Sequence, residues 1–313
     1  MTDFPAILKQ AAESLIDSPR AAKRDAETIS LRYRGETGAA KTLKSGAESA
    51  AYAVARMPAT FAAANFVLRQ LPDVGAKSLT DAGAGTGAVV WAAAGLFDLD
   101  EILCLESEPA MIQTGEKLAE AGKDLFKTPP VWRRFDLTRD ETAPADIVTA
   151  SYVLNELPES GREKALTNLW NAAKKALVLI EPATPDCFAR MKSFRSLLIE
   201  NGAFIAAPCP HQNACAADWC HLGRRVRRSK LHRALKGGDA PFEDEKFTYL
   251  IATREKFSAP AARILRRPKI GKNKVVLSLC AADGIREESF YKGSENYKAA
   301  RKADWGDAFI SSP

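Results

Sequence analysis

The chain has 313 residues, enough to bury a large core and to hold one large domain with additions or two domains. Its hydrophobic fraction of 46% is ordinary for a soluble protein, and no apolar run is long enough to span a bilayer. The net charge of +6, from 45 Lys and Arg against 39 Asp and Glu, is modest overall but unevenly spread.

The first residues, Met-Thr-Asp-Phe-Pro, have neither a charged-then-apolar secretion signal nor the acid-poor look of a transit peptide, since Asp3, Glu13 and Asp17 come early. A bacterial, cytoplasmic protein is expected. Residues 1–70 are expected to be helical. Ala50–Pro58 and Thr60–Leu71 carry apolar residues at helical spacing, interrupted at Pro58. Leu71–Lys77 is a turn. Ser78–Val90 then reads as a strand, a glycine loop and a helix. Gly83, Gly85 and Gly87 alternate, so the backbone can turn tightly and approach a ligand with no Cβ in the way. The helix from Ala88 to about Gly95 points its free amides into the same space and favours an anionic group there.

Glu101–Glu106 is a second short apolar strand. It ends in a carboxylate about 20 residues beyond the loop, the spacing at which such folds present an acid to ribose hydroxyls. Glu106 is therefore the candidate ribose ligand. A dinucleotide fingerprint would place its third glycine three positions after the second, but Gly87 follows Gly85 by two. That spacing, together with Asp81, resembles the first motif of class I S-adenosylmethionine-dependent methyltransferases. The resemblance implies that the anion at the helix end is the methionine carboxylate of the methyl donor.

Pro109 opens a helix through about Ala121. Val131–Leu137 is a third strand, and Asp136 at its end could accept a hydrogen bond from an adenine amino group. Ala145–Ser151 is the fourth and runs into Tyr152–Pro158, where this class places the loop over the methyl donor; Asn155 joins the candidate ligands. Ser160 is expected to cap a helix to about Ala176, followed by a fifth strand, Leu177–Pro182. Alternating strands and helices predict a mostly parallel, Rossmann-like α/β sheet covered on both faces, with ligands at the carboxyl ends of the strands. The glycine loop, Glu106, Asp136 and Asn155 share that edge. The expected division is a helical region at 1–70, a methyltransferase-like α/β domain at 71–182 and 247–313, and an inserted cysteine-rich, basic, metal-binding segment at 183–246.

Within that segment Cys209, Cys215 and Cys220 are separated by five and four residues, a density that invites a metal because converging thiolates need a cation to hold them. Disulfides are not expected in a reducing compartment. The fourth ligand could be Cys280, which follows the apolar run from Lys274, or His211 or His221. Zinc and an iron-sulfur cluster both suit the spacing. Cys104 and Cys187 are expected to be plain buried thiols. Two basic blocks suit a polyanion, the first being Arg224, Arg225, Arg227, Arg228, Lys230, Arg233 and Lys236. The second is Arg263, Arg266, Arg267, Lys269, Lys272 and Lys274, and Glu243, Asp244 and Glu245 are nearby counter-charges.

Tyr52–Pro58, Pro208–His211, Cys215, Trp219–His221, Phe242–Tyr249, Leu279–Gly284 and Trp305–Asp307 resemble the methyltransferase-like proteins of the small ribosomal subunit. Eukaryotic members act in mitochondria, in assembly and translation. The resemblance runs from about Ser30 and its cysteine pattern is its most specific part. It implies a 4Fe-4S cluster on Cys209, Cys215, Cys220 and Cys280, with zinc the alternative. It also implies S-adenosylmethionine as cofactor and small-subunit ribosomal RNA as partner, bound by basic residues such as Arg224–Arg233, Arg266 and Arg267. A monomer with no membrane partner is expected. An amino-group methylase of nucleic acid would show Asn or Asp, two prolines and an aromatic after the fourth strand, where this chain has Ser151–Leu157. Tyr152, Asn155 and Glu156 are the best-placed polar groups for catalysis. The alternatives to a methyltransferase are an assembly factor that keeps the fold without turnover, or a zinc-knuckle RNA-binding protein.

Overall fold

The structure is a computed structural model that describes residues 4–33, 43 and 45–309. Residues 1–3, 34–42 and 44 of the expected helical region, and 310–313 at the end of the chain, lie outside the described residues.

Four helices open the chain: α1 (Ala6–Ser14), α2 (Pro19–Tyr33), α3 (Gly46–Ala55) and α4 (Met57–Leu68). The Ser45 hydroxyl accepts a hydrogen bond from the Glu48 amide and caps α3. Pro58 falls in the first turn of α4, where its missing N–H costs nothing, so it bends the chain between two helices. Every residue of α4 except Thr60 is buried. A helix buried all round must sit between layers, and α4 packs on the sheet and against its first crossover helix.

The main sheet begins with β1 (Ser78–Ala82), α5 (Ala88–Ala94), β2 (Glu101–Glu106), α6 (Pro109–Ala121), β3 (Val131–Arg134) and β4 (Ala145–Ser151). It continues through α7 (Glu159–Ala172), β5 (Ala173–Pro182), α8 (Pro185–Glu200), β6 (Phe204–Ala207), β7 (Leu222–Arg227), α9 (Lys230–Lys236) and β8 (Phe242–Thr253). The strand order is β3-β2-β1-β4-β5-β8-β6, with β7 also on β8. The first five strands are parallel, and β8 is antiparallel to its neighbours. This is the order and strand sense of a class I methyltransferase sheet. The order reverses between β1 and β4, which places a crevice at their carboxyl ends. One face packs Leu79, Ile147, Val178 and Trp91 under α4 and α5, and the other packs Leu166, Leu169, Trp170 and Leu198 under α7 and α8. Each such buried side chain contributes about 1.5–3 kcal/mol.

A second sheet follows, with β9 (Ala262–Ile264), β10 (Lys269–Ile270), β11 (Lys274–Ala281), β12 (Gly284–Tyr291), α10 (Tyr297–Lys302) and β13 (Ala308–Phe309). Its order is β10-β11-β9-β13, with β12 on β11, and it closes its own core around Ile264, Leu277, Leu279 and Phe290.

Several boundaries differ from the sequence expectations. β3 stops at Arg134, which leaves Asp136 in the turn beyond it. α7 begins at Glu159 after Pro158 with no side-chain cap, so Ser160 lies inside its first turn. β5 starts at Ala173, so Ala173–Ala176, expected as the end of a helix, are strand. The span 183–246 is not wholly inserted: α8 covers the sheet and β6 completes it. After β8, the span 247–313 leaves the main sheet for the second one.

Candidate functional site

Two sites stand out. The first is a cavity of about 1180 Å³ at the carboxyl ends of β1, β2 and β4, with α2 and α9 contributing to its wall. Gly83, Gly85 and Gly87 all have positive φ, at 75°, 55° and 89°. A Cβ on Gly83 would stand 2.7 Å from the Val153 side chain, so the loop after β1 nests against the loop after β4 only because the residue is glycine. Gly83 and Gly85 line the cavity, while Gly87 caps α5 behind it.

Glu106 lines the cavity at the end of β2. Its Oε2 accepts from the Gly85 amide at 2.7 Å, and its Oε1 from the Ser107 and Glu108 amides at 2.8 and 3.0 Å. The carboxylate thus ties the glycine loop to the following turn. Asp136 also lines the cavity, and its Oδ1 accepts from the Thr138 amide and hydroxyl. Asp81 does not reach the cavity wall. It is fully buried in β1, where Thr149 Oγ1 donates to Oδ1 at 2.6 Å and Oδ2 has no partner. Burial pushes its carboxyl up to about 7.

The loop after β4 supplies Tyr152, Asn155 and Glu156, all on the cavity wall. Tyr152 has φ of 57°, an uncommon value for a non-glycine residue and of a kind that collects at functional sites. Its hydroxyl donates to Glu245 Oε1 at 3.0 Å. The Asn155 Oδ1 is buried and has no hydrogen-bond partner among the described residues. Below them Glu181, 3% exposed, accepts from the Leu154 amide and so holds this loop; burial raises its carboxyl to about 8. The sequence does not place Tyr52, Arg56 or Glu245 at the cavity. Tyr52 and Arg56 line the cavity, and the Arg56 guanidinium opposes the rise that burial imposes on the Glu245 carboxyl. The signal for them was Tyr52–Pro58, where an Arg sits in an otherwise apolar stretch.

The second site is a pocket of about 40 Å³ that Cys209, Cys215, Cys220 and Cys280 all line. One edge of β8 explains how they meet. Its Phe242–Phe247 half pairs with β7 and its Ile251–Thr253 end pairs with β6, so the segment joining β6 to β7 runs along the strand between them. That segment carries the first three cysteines. Cys280 arrives from β11, where it pairs with Arg263 of β9. Burial and the neighbouring sulfurs push the Cys220 thiol up to about 12 and the Cys280 thiol up to about 11. His211 and His221 do not line the pocket. His211 Nε2 lies 3.7 Å from Cys280 Sγ, and the His221 ring stacks on Trp219 with centroids 4.1 Å apart. Among the described residues, no three His, Cys, Asp or Glu side chains are grouped so as to hold one metal ion. All six cysteines are unpaired; Cys104 and Cys187 are buried away from this pocket.

The basic blocks are partly spent inside the fold. Arg224 stacks on Phe66 at 3.5 Å and donates to the Trp305 carbonyl. Arg225 and Arg267 share Asp244, and Lys236 pairs with Glu243 at 2.6 Å. Arg228 and Arg233 donate to the carbonyls of Gly237 and Asp239. Arg263 is 3% exposed. Arg227, Lys230 and Arg266 are exposed and make no ion pair among the described residues.

The family described as mitochondrial small ribosomal subunit Rsm22 matches residues 46–310. Human METTL17, a mitochondrial ribosome assembly protein, is 26% identical over 287 residues, which cover 83% of this chain; the chain spans 62% of that protein's length. Among solved structures, magnesium protoporphyrin IX methyltransferase from Synechocystis is 15% identical with a TM-score of 0.42, over 74% of this chain and 97% of its own. Precorrin-6y C5,15-methyltransferase from Geobacter metallireducens is 17% identical with a TM-score of 0.40, over 63% and 87%.

Proposed function

This chain belongs to the Rsm22 family of mitochondrial small ribosomal subunit proteins, and from that premise we propose that it works on the small ribosomal subunit, binding its RNA during assembly. S-adenosylmethionine is proposed to occupy the cavity above the glycine loop. The observation that carries this is the cavity at the β1–β4 switch point, floored by left-handed glycines and holding the unpartnered Asn155 Oδ1. Glu106, Asp136 and Asn155 are the chain's ribose, adenine and polar contacts, and Gly83 and Gly85 let the backbone come close. When bound, the donor supplies an activated methyl group. The chain's own part is orientation, which can supply several kcal/mol. Glu181 and Glu106 hold the two loops, and Tyr152, held by Glu245, faces the remaining space. The acceptor is ribosomal RNA or a ribosomal protein, and the work is placed in the bacterial cytoplasm.

Cys209, Cys215, Cys220 and Cys280 are proposed to hold a 4Fe-4S cluster. What supports the reading is that all four cysteines line one pocket, a donor set that suits a 4Fe-4S cluster, with zinc the alternative. Arg227, Lys230 and Arg266 are among the exposed cations that remain for phosphate.

A factor that retains the donor but transfers no methyl group is the second reading, favoured by the absence of an Asn- or Asp-Pro-Pro sequence at Ser151–Leu157. The test is calorimetric titration of S-adenosylmethionine into wild type and Gly85→Ala, with both genes supplied to a deletion strain. Wild type that does not bind the donor sinks the cofactor reading. A variant that loses donor binding yet restores subunit maturation fully sinks the enzyme reading and leaves the assembly factor.

A further inference from the structure

Two arginines are buried against the cysteine pocket, and among the described residues neither has a carboxylate for a partner. Arg195 of α8 is 5% exposed; its Nη2 donates to the His211 carbonyl at 2.9 Å and its Nε is buried without a partner. Its guanidinium lies beside Cys209. Arg263 of β9 is 3% exposed and donates to the Pro208 carbonyl at 2.8 Å, to Gln70 Oε1 at 2.7 Å and to the Gly306 carbonyl at 3.0 Å. Both line the pocket, and no acidic residue does. Lys192 also lines it, but it is only half-buried and its ammonium donates to the Ala217 carbonyl.

A buried charge without a counter-charge is among the most expensive features a fold can carry. Neutral acceptors take several of the hydrogen bonds of these guanidinium groups but do not balance their charge, and four neutral thiols would not balance it either. Four thiolates on a doubly positive metal core would. Their sum is a dianion, whether the core is an oxidised cubane or a single zinc ion, and two guanidinium groups bring the pocket to neutrality.

We propose that Arg195 and Arg263 are the built-in counter-charge of a dianionic tetrathiolate metal centre. They are positioning residues: Arg195 stands against Cys209, Arg263 lines the same pocket, and together they make the loaded state the favoured one. Loading replaces up to four S–H bonds by S–metal bonds and sends the protons to solvent. The inference rests on the proposed four-cysteine centre. It also takes Arg263 away from the polyanion-binding block in which its sequence neighbours stand.

The test uses the full chain purified without oxygen, as wild type, Arg195→Met, Arg195→Lys, Arg263→Met and Arg263→Lys, with iron, sulfide and zinc measured per chain. Redox titration follows if iron is bound, and chelator competition if zinc is bound. The Met variants are expected to lose most of the metal, and what remains has a lower midpoint potential or yields faster to chelator. The Lys variants stay near wild type. Met variants that match wild type in loading and midpoint, or Lys variants that fail as badly as Met, overturn the counter-charge. If both Met variants fail to fold, Arg195→Lys decides alone: it keeps the charge and discards the geometry, so retained metal upholds the inference and lost metal overturns it. Wild type with neither iron nor zinc removes the four-cysteine centre itself, a failure distinct from a loaded wild type with indifferent arginine variants.

Discussion

The cavity over the glycine loop takes its walls from turns that follow β1, β2 and β4 of one sheet, whereas the cysteine pocket takes its walls from one edge of β8 and from a strand of the second sheet. In the first, backbone conformation and a few hydrogen bonds fix the shape with no ligand present. In the second, burial raises the Cys209, Cys220 and Cys280 thiols above their ordinary range.

The contrast is tested most severely at Cys280. Cys280→Ser is expected to empty the pocket of metal and lower the thermal midpoint by roughly 5–10 °C, at about 2–4 °C per kcal/mol for a chain of this size. Donor binding in the cavity should survive. Loss of both together would mean that the two regions form one cooperative unit. Gly83→Ala is the converse. A Cβ meeting Val153 at 2.7 Å on a left-handed backbone should cost about 1–3 kcal/mol and weaken S-adenosylmethionine at least about tenfold, with metal content unchanged. Equal donor affinity in the variant would remove the glycine loop from the binding site.

A smaller effect concerns pH. Asp81 and Glu181 behind the cavity have folded values raised by burial to about 7 and about 8, so the native chain holds protons that the unfolded chain has already released. Stability therefore falls as pH rises from about 4 to about 8, and Asp81→Asn with Glu181→Gln should flatten that slope in urea titrations. An unchanged slope would show that these carboxyls do not set it. The smallest effect is at the surface. Arg227→Gln with Lys230→Gln should reduce the salt dependence of RNA binding by a slope of about 1 per lost phosphate contact, while metal and donor binding stay constant. An identical slope would move the RNA face elsewhere.

The cavity was the more legible region because its parts are local. Strand, glycines and acidic residue occupy one short window from Ser78 to Glu106, and β1, β2 and β4 fall where their apolar runs predict. β6 was missed because its Phe204–Ala207 is short and its pairing partner β8 lies far downstream. The buried charges were illegible for a related reason. In sequence Arg263 sits beside Arg266 and Arg267 and reads as part of a basic surface, but alternation along β9 turns it inward to Gln70, Pro208 and Gly306. Arg195 carries no signal at all within α8, because its meaning depends on a loop that folds back over it.

Because the fourth sulfur belongs to β11, the order of synthesis constrains the order of maturation. A nascent chain presents Cys209, Cys215 and Cys220 well before Cys280 leaves the translating ribosome. Until then the pocket has three sulfurs, and Arg263 cannot be pinned through the Gly306 carbonyl. Loading of the proposed four-cysteine centre would thus be complete only after the strand that carries Cys280 has docked.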